Sequence, residues 1–197
     1  MERLRLGRVR LKGGLRRRRG MMQLLIDKDA IRDLVLFYSR AVDRRDFELL
    51  RSLYTPDAVE DNHAGLFTGP ADAYVDWLVT SLPRVAMTTH AVQNHLIAID
   101  DGSHAQGEVY VIAYHRLAAE GGGWFDQIHG SRYLDHYEKR GGQWLFARRS
   151  VVIDWKRRGP STWDSDHPDI EGMPLGTHDA ADPSYHFLEH ARFARHG

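Results

Sequence analysis

Four long runs of β-type sequence follow Pro83 with little between them but glycine-bearing turns, and this pattern sets the fold class. The runs are RVAMTTHAVQNHLIAID, SHAQGEVYVIAYHRLAA, GWFDQIHGSRYLDHYEKR and QWLFARRSVVIDWKR, broken at Asp101-Gly102, Glu120 to Gly123 and Gly141-Gly142. Strands joined by tight turns pair antiparallel as a meander. Upstream the period is helical. Ile31, Leu34, Val35, Tyr38, Ala41 and Val42 form one stripe, with Asp27 or Asp29 as an acidic cap. Asp46 caps a short second helix in FELLRSLY, VEDNHAGLFTG reads as short extended segments, and PADAYVDWLVTSL places Tyr74, Trp77, Leu78 and Leu82 on one side of a third helix. Helices gathered ahead of strands predict an α+β domain in which a curved antiparallel sheet wraps over three N-terminal helices.

The chain has 197 residues, 42% of them hydrophobic, which supports one core rather than two. Three segments are expected: a basic disordered arm over 1–22, the α+β domain over 23–157, and an irregular extension over 158–197 with a short helix near YHFLEHARF. The arm holds nine Lys or Arg within residues 1–20 and one acid, leaving 18 basic and 26 acidic residues in the body, a formal charge of −8. Like-charge blocks repel and stay solvated. The arm carries no aromatic residue for base stacking, so a nucleic-acid partner is not expected. No apolar run reaches the length of a membrane span, and leucines alternate with arginines where a secretory leader would be apolar. With no cysteine there is neither a disulfide nor a thiolate metal site, and a cytoplasmic location is expected.

Strand alternation groups His90, Val92, Asn94 and Leu96 on one face of the first long run, and Leu145, Ala147, Arg149, Val151 and Ile153 on one face of the last. Each row inserts a polar residue, His90 or Arg149, into apolar company, and a buried charge needs a partner. For Arg149 the candidates are Asp43 and Asp126. The opposite face of the last strand, with Trp144, Phe146 and Val152, predicts self-association. Periodicity alone reads Asp43 as a solvated acid at the end of the first helix. Two apparent metal patterns are discounted. HFLEH resembles an inverted zinc-peptidase motif but lacks room for a downstream ligand, and Asp57, Asp61 and His63 fit an edge strand.

The helical order, FTGPADAYVDWL, the histidine on a long strand and RYLDHYEKRGGQWLFARRSVVIDW together resemble the SnoaL-like branch of the nuclear transport factor two-like superfamily, over roughly residues 27–157. The later DPSY is also similar. That resemblance implies a cone-shaped sheet and, by likeness to the scytalone and bile-acid dehydratases and hexachlorocyclohexane dehydrochlorinase, a cofactor-free lyase. It implies His90 as base, Asp43 as its orienting carboxylate, Tyr38 as a donor to the substrate carbonyl, and Arg149 near the leaving group. The implied pocket is lined by Tyr54, His63, Trp77, Val92, Tyr110 and His129, without a metal or cofactor. His115 and His129 are candidates for a second histidine. The implied partners are a small hydrophobic carbonyl compound, polycyclic or steroid-like, and further copies of the chain as a dimer or trimer. An isomerase or cyclase using the same dyad, and a non-catalytic binding module, are the alternatives.

Overall fold

The computed structural model describes the backbone of residues 11–187 and the side chains of residues 18 and 20–187. Helix α1 spans Leu11–Arg44 and buries the predicted stripe of Ile31, Leu34, Val35, Tyr38, Ala41 and Val42. Its start corrects two expectations. Residues 11–22 belong to the helix rather than to a disordered arm, because Leu, Lys and Arg are good helix formers and extending an existing helix is far easier than nucleating one. The first ten residues of the expected arm lie outside the described residues. Asp27 is therefore no cap: it is buried mid-helix and accepts hydrogen bonds from Trp144 Nε1 (2.9 Å) and Lys139 Nζ (2.7 Å), tying α1 to the last hairpin.

The chain continues through α2 (Phe47–Ser52), β1 (Tyr54–His63), β2 (Phe67–Pro70), α3 (Ala71–Ser81), β3 (Val85–Ile99), β4 (His104–Ala118), β5 (Trp124–Arg140) and β6 (Gln143–Pro160). Asp46 caps α2 as expected, its carboxylate accepting from Leu49 N at 3.0 Å. The strands form one sheet in the order β2-β1-β6-β5-β4-β3. The four long strands make the predicted meander, but β1 pairs with β6 in parallel, so the sheet is mixed rather than antiparallel throughout. Among the described residues no helix is long and apolar enough to cross a membrane.

Two bulges decide what faces the core. On β6, Phe146 pairs with Tyr137 and Arg148 with His136, so Ala147 is extra and the alternation changes phase. Trp144 and Phe146, expected outside, are buried together with Arg149 and Val151. On β3, one residue is gained between Val92 and His95, so His90 and Val92 share the inner side with His95 and Ile97 rather than with Asn94 and Leu96. The outer face exposes Leu96, Tyr110 and Leu134 among its apolar residues, and not Trp144 or Phe146.

The row Ile97, Gly107, Asp135, Arg149 crosses β3, β4, β5 and β6. Gly107 is required there, since a Cβ would sit 2.7 Å from the Tyr137 hydroxyl, and Tyr137 is 1% exposed and hydrogen-bonded to Asp135. Gly107→Ala is expected to lower unfolding free energy by about 1–3 kcal/mol, the range for overpacking a closed core, as read by denaturant titration.

After β6 the chain is irregular apart from a turn at Pro168–Ile170 and the short α4, Ser184–Phe187. HFLEH runs past Phe187 and so lies mainly outside the described residues.

Candidate active site

Asp43 occupies the last turn of α1, where the helix meets the inner side of β3. Its carboxylate grips one residue twice: Oδ1 is 2.7 Å from His90 Nδ1, and Oδ2 accepts from His90 N at 2.9 Å. An ionised carboxylate has only acceptors, so Nδ1 carries a hydrogen, and in the neutral ring Nε2 then presents its lone pair. Among the described residues Nε2 has no hydrogen-bond partner. A cavity of about 270 Å³ opens at the dyad, lined by Leu36, Ser39, Arg40, Asp43, Arg44, His90 and Val92.

Burial alone would raise the Asp43 pKa, but the hydrogen bonds and charge of His90 outweigh it and hold the carboxyl below its ordinary value. A group whose folded pKa is depressed stabilises the fold fully above its unfolded value and loses that contribution as pH falls through the folded one. Asp43→Asn is therefore expected to destabilise the protein above about pH 4, with the difference from wild type shrinking in more acidic solution, as read by unfolding midpoints against pH.

Two further histidines extend this side of the cone. The His115 ring meets His90 edge-on at 5.4 Å between centroids and stacks on His129 at 5.3 Å. Burial first, and then the charge of His90, push His115 down to about 3 and His129 down to about 4, so both stay neutral at physiological pH. Their Nδ1 atoms are buried without a protein partner among the described residues.

Arg149 is not beside Asp43 or Asp126. Asp135, which the sequence reading missed, takes its Nε at 2.7 Å and its Nη2 at 2.8 Å, and both side chains are fully buried. The guanidinium lies 4.0 Å from the Tyr38 ring centroid, 4.3 Å from Tyr133 and 4.1 Å from Phe146, and among the described residues its Nη1 has no hydrogen-bond partner. Tyr38 is buried beside it, and burial first raises its pKa well above the ordinary phenol value, so it stays protonated.

The remaining pocket candidates separate. Tyr54 and His63 both bind Glu60, a fully buried acid that the sequence reading also missed, the His63 contact being 3.0 Å. Asn62, with φ of 68°, creates the irregularity that turns His63 to the same side as Glu60. Asn adopts this left-handed conformation more readily than most residues. Trp77 packs on Tyr74 and Phe67, and Val92 lines the dyad cavity. Tyr110 points outward and is 43% exposed, because Val109 and Val111 take the inner positions on β4. Asp57 and Asp61 pair with Arg140 and Arg148 and do not converge with His63.

The C-terminal extension straps the dyad end of the cone. His178 Nδ1 donates to the Asp43 carbonyl at 2.8 Å, and buried Asp182 lies 3.3 Å from Arg44. Asp182 also caps Ser184 N, and Ser184 Oγ accepts from Arg40 at 2.9 Å. The familiar DPSY is thus a latch onto two arginines of α1. Between the strap and the β3–β4 end lies a cavity of about 690 Å³, lined in part by Met87, Tyr114, Arg116, Trp163 and His178. Asp182→Ala is expected to raise amide exchange in residues 174–185 by about tenfold or more, leaving β4 and β5 protected, as read by hydrogen-exchange mass spectrometry.

Residues 23–150 match the SnoaL-like domain, and the chain belongs to that family. Among similar solved structures, a Novosphingobium aromaticivorans protein provisionally assigned as a scytalone dehydratase is 27% identical, with a TM-score of 0.63, 70% of this chain covered and 90% of that one. A hexachlorocyclohexane dehydrochlorinase, LinA type 2, is 22% identical at TM-score 0.66, covering 76% of this chain and 99% of that one. A provisionally assigned aromatic ring hydroxylase from Novosphingobium aromaticivorans is 21% identical at TM-score 0.60, covering 70% and 94%. At these identities the last two share the fold alone.

Proposed function

We propose that this protein is a cofactor-free lyase of the dehydratase type, acting on a neutral hydrophobic carbonyl compound, polycyclic or steroid-like in size, that bears a hydroxyl β to the carbonyl. The observation that carries the reading is the pair of hydrogen bonds that Asp43 accepts from His90 beside a cavity, an arrangement that in the neutral ring keeps the hydrogen on Nδ1 and the lone pair on Nε2.

In this reaction His90 Nε2 takes the proton α to the carbonyl, and Asp43 stabilises the imidazolium as it forms. The C–H electron pair moves to the carbonyl oxygen, where the Tyr38 O–H donates, an interaction worth roughly 3 kcal/mol of barrier. Collapse of the enolate breaks the β C–O bond. The leaving hydroxide takes the proton back from His90 and departs as water, so the proton balance closes within one residue. Neutral His115 and His129 are poor acids at pH 7 and serve better as an uncharged polar wall. The free Nη1 of Arg149 is the donor left for an oxygen that gains negative charge.

The test is a panel of β-hydroxy ketones followed by mass spectrometry, with α-proton exchange in deuterated water read in parallel. Loss of one water supports the lyase; an unchanged mass with exchange supports an isomerase on the same dyad. Equal turnover by His90→Ala would remove both. We also infer self-association through the outer face around Leu96, Tyr110 and Leu134, which sedimentation of Leu96→Lys against wild type would read as a lower mass for the variant.

A further inference from the structure

We propose that the Glu60–His63 pair sets the direction of a hydrogen-bond chain ending at Tyr38, so that one proton on the pair decides whether the Tyr38 phenol offers its hydrogen to a bound ligand or keeps it turned away. The lyase reading is needed only for the claim that the ligand is a carbonyl substrate; the chain's direction is a property of the protein alone.

Glu60 is 0% exposed and accepts from the Tyr54 hydroxyl, while its other oxygen lies 3.0 Å from His63 Nδ1. Across the ring, His63 Nε2 is 3.2 Å from the Tyr74 oxygen, which is 2.8 Å from the Tyr38 oxygen. Each phenol owns one hydrogen, so this chain runs one way or the other. With Glu60 ionised and His63 neutral, Nδ1 carries the hydrogen and Nε2 must accept. Tyr74 then donates to His63, Tyr38 donates to Tyr74, and Tyr38 has only lone pairs left for a ligand. With one more proton on the pair, Nε2–H donates to Tyr74, Tyr74 donates to Tyr38, and the Tyr38 hydrogen is released toward the cone. The outcome is the same whether the added proton makes an imidazolium or a protonated carboxyl.

Arg149 is the register partner of Glu60 across β1 and β6. Arg149 of β6 gives two of its donors to Asp135 of β5, and Asp61 of β1 is paired with Arg148 of β6. Tyr38 of α1 and Tyr74 of α3 stay neutral, their phenols raised first by burial, and His129 of β5, within electrostatic reach of His63, is neutral as well. His63 is the ring in hydrogen-bonding contact with buried Glu60 that can take up a further proton, and a buried carboxylate without a counter-charge is costly. Glu60 and His63 are positioning residues: they act through Tyr74.

The experiment is NMR of the full chain across about pH 5 to 9, following His63 ring nitrogens and the Cζ carbons of Tyr74 and Tyr38. Both tyrosine signals are expected to step with the midpoint of His63 Nε2. In Tyr74→Phe the chain is cut, so His63 keeps its step and Tyr38 loses it. In His63→Gln, whose amide cannot titrate, neither tyrosine steps. A Tyr38 step that survives Tyr74→Phe, or no gain of a hydrogen at His63 Nε2 in this range, overturns the proposal. In kinetics, the acid-side rise in kcat/KM for a carbonyl substrate, about ten- to a hundredfold, should vanish in His63→Gln. If His90→Ala leaves turnover intact while the NMR steps appear, the lyase reading fails and the switch stands; the reverse result sinks the switch alone.

Discussion

Asp43→Asn is expected to cut kcat/KM by about 10²–10⁴-fold with the fold intact, the range for losing a positioned general base. The carboxylate accepts from both the backbone N–H and Nδ1–H of His90. An asparagine amide has one oxygen for two donors. If that oxygen keeps the backbone N–H, the amide N–H₂ faces Nδ1 and favours the tautomer with hydrogen on Nε2, which has no lone pair to accept the substrate proton. His90→Ala should be as damaging to turnover. It should also cost about 1–3 kcal/mol of stability, because Asp43 is mostly buried and would lose one of its two donors. Separating the two readouts, rate from unfolding, distinguishes a base from a structural histidine.

The largest stability effect is expected at Asp135. Asp135→Leu should destabilise by about 3–5 kcal/mol in denaturant titration, because it strands the Arg149 charge in a site with no solvent. Surrounding aromatic faces at 4.0–4.3 Å attract the guanidinium but do not replace two charge-assisted hydrogen bonds. Pairing the change with Arg149→Met should recover much of the loss, since desolvation of both ions is then avoided. By contrast Arg148→Ala, one residue away and half exposed in its pair with Asp61, should move stability by less than about 1 kcal/mol. If Asp135→Leu proved equally mild, the buried pair would not be holding the cone's inner face.

The period of the sequence was enough for the stripe on α1, the cap at Asp46 and the four-stranded meander, because each of these is written in local spacing. Facing was not, because bulges are not. Counting back from the Gly141-Gly142 turn, whose residues both have positive φ, would pair Arg149 with Leu134. The extra residue at Ala147 moves it to Asp135, and with it turns Phe146 inward. The same loss of phase near Val92 misassigned Asn94 and Leu96. Asp43 illustrates a different limit. Its place on the helical wheel suggested solvent, and only the crossing of β3 over the end of α1 gives it a partner; family resemblance supplied what periodicity could not. Glu60 was legible in principle, as an acid at an inward position of β1, had the parallel pairing with β6 been foreseen.

That pairing shapes how the protein is made. Tyr54 of β1 aligns with Phe146 of β6, roughly 90 residues later, so a ribosome working at about 5–20 residues per second leaves β1 without its main partner for about 5–20 s. During that delay α1, α2 and α3 are complete but the meander that covers them is still being synthesised. Nascent chains stalled before residue 143 should therefore be strong chaperone clients, and synonymous changes that slow translation across β5 should lower soluble yield more than the same changes placed after β6.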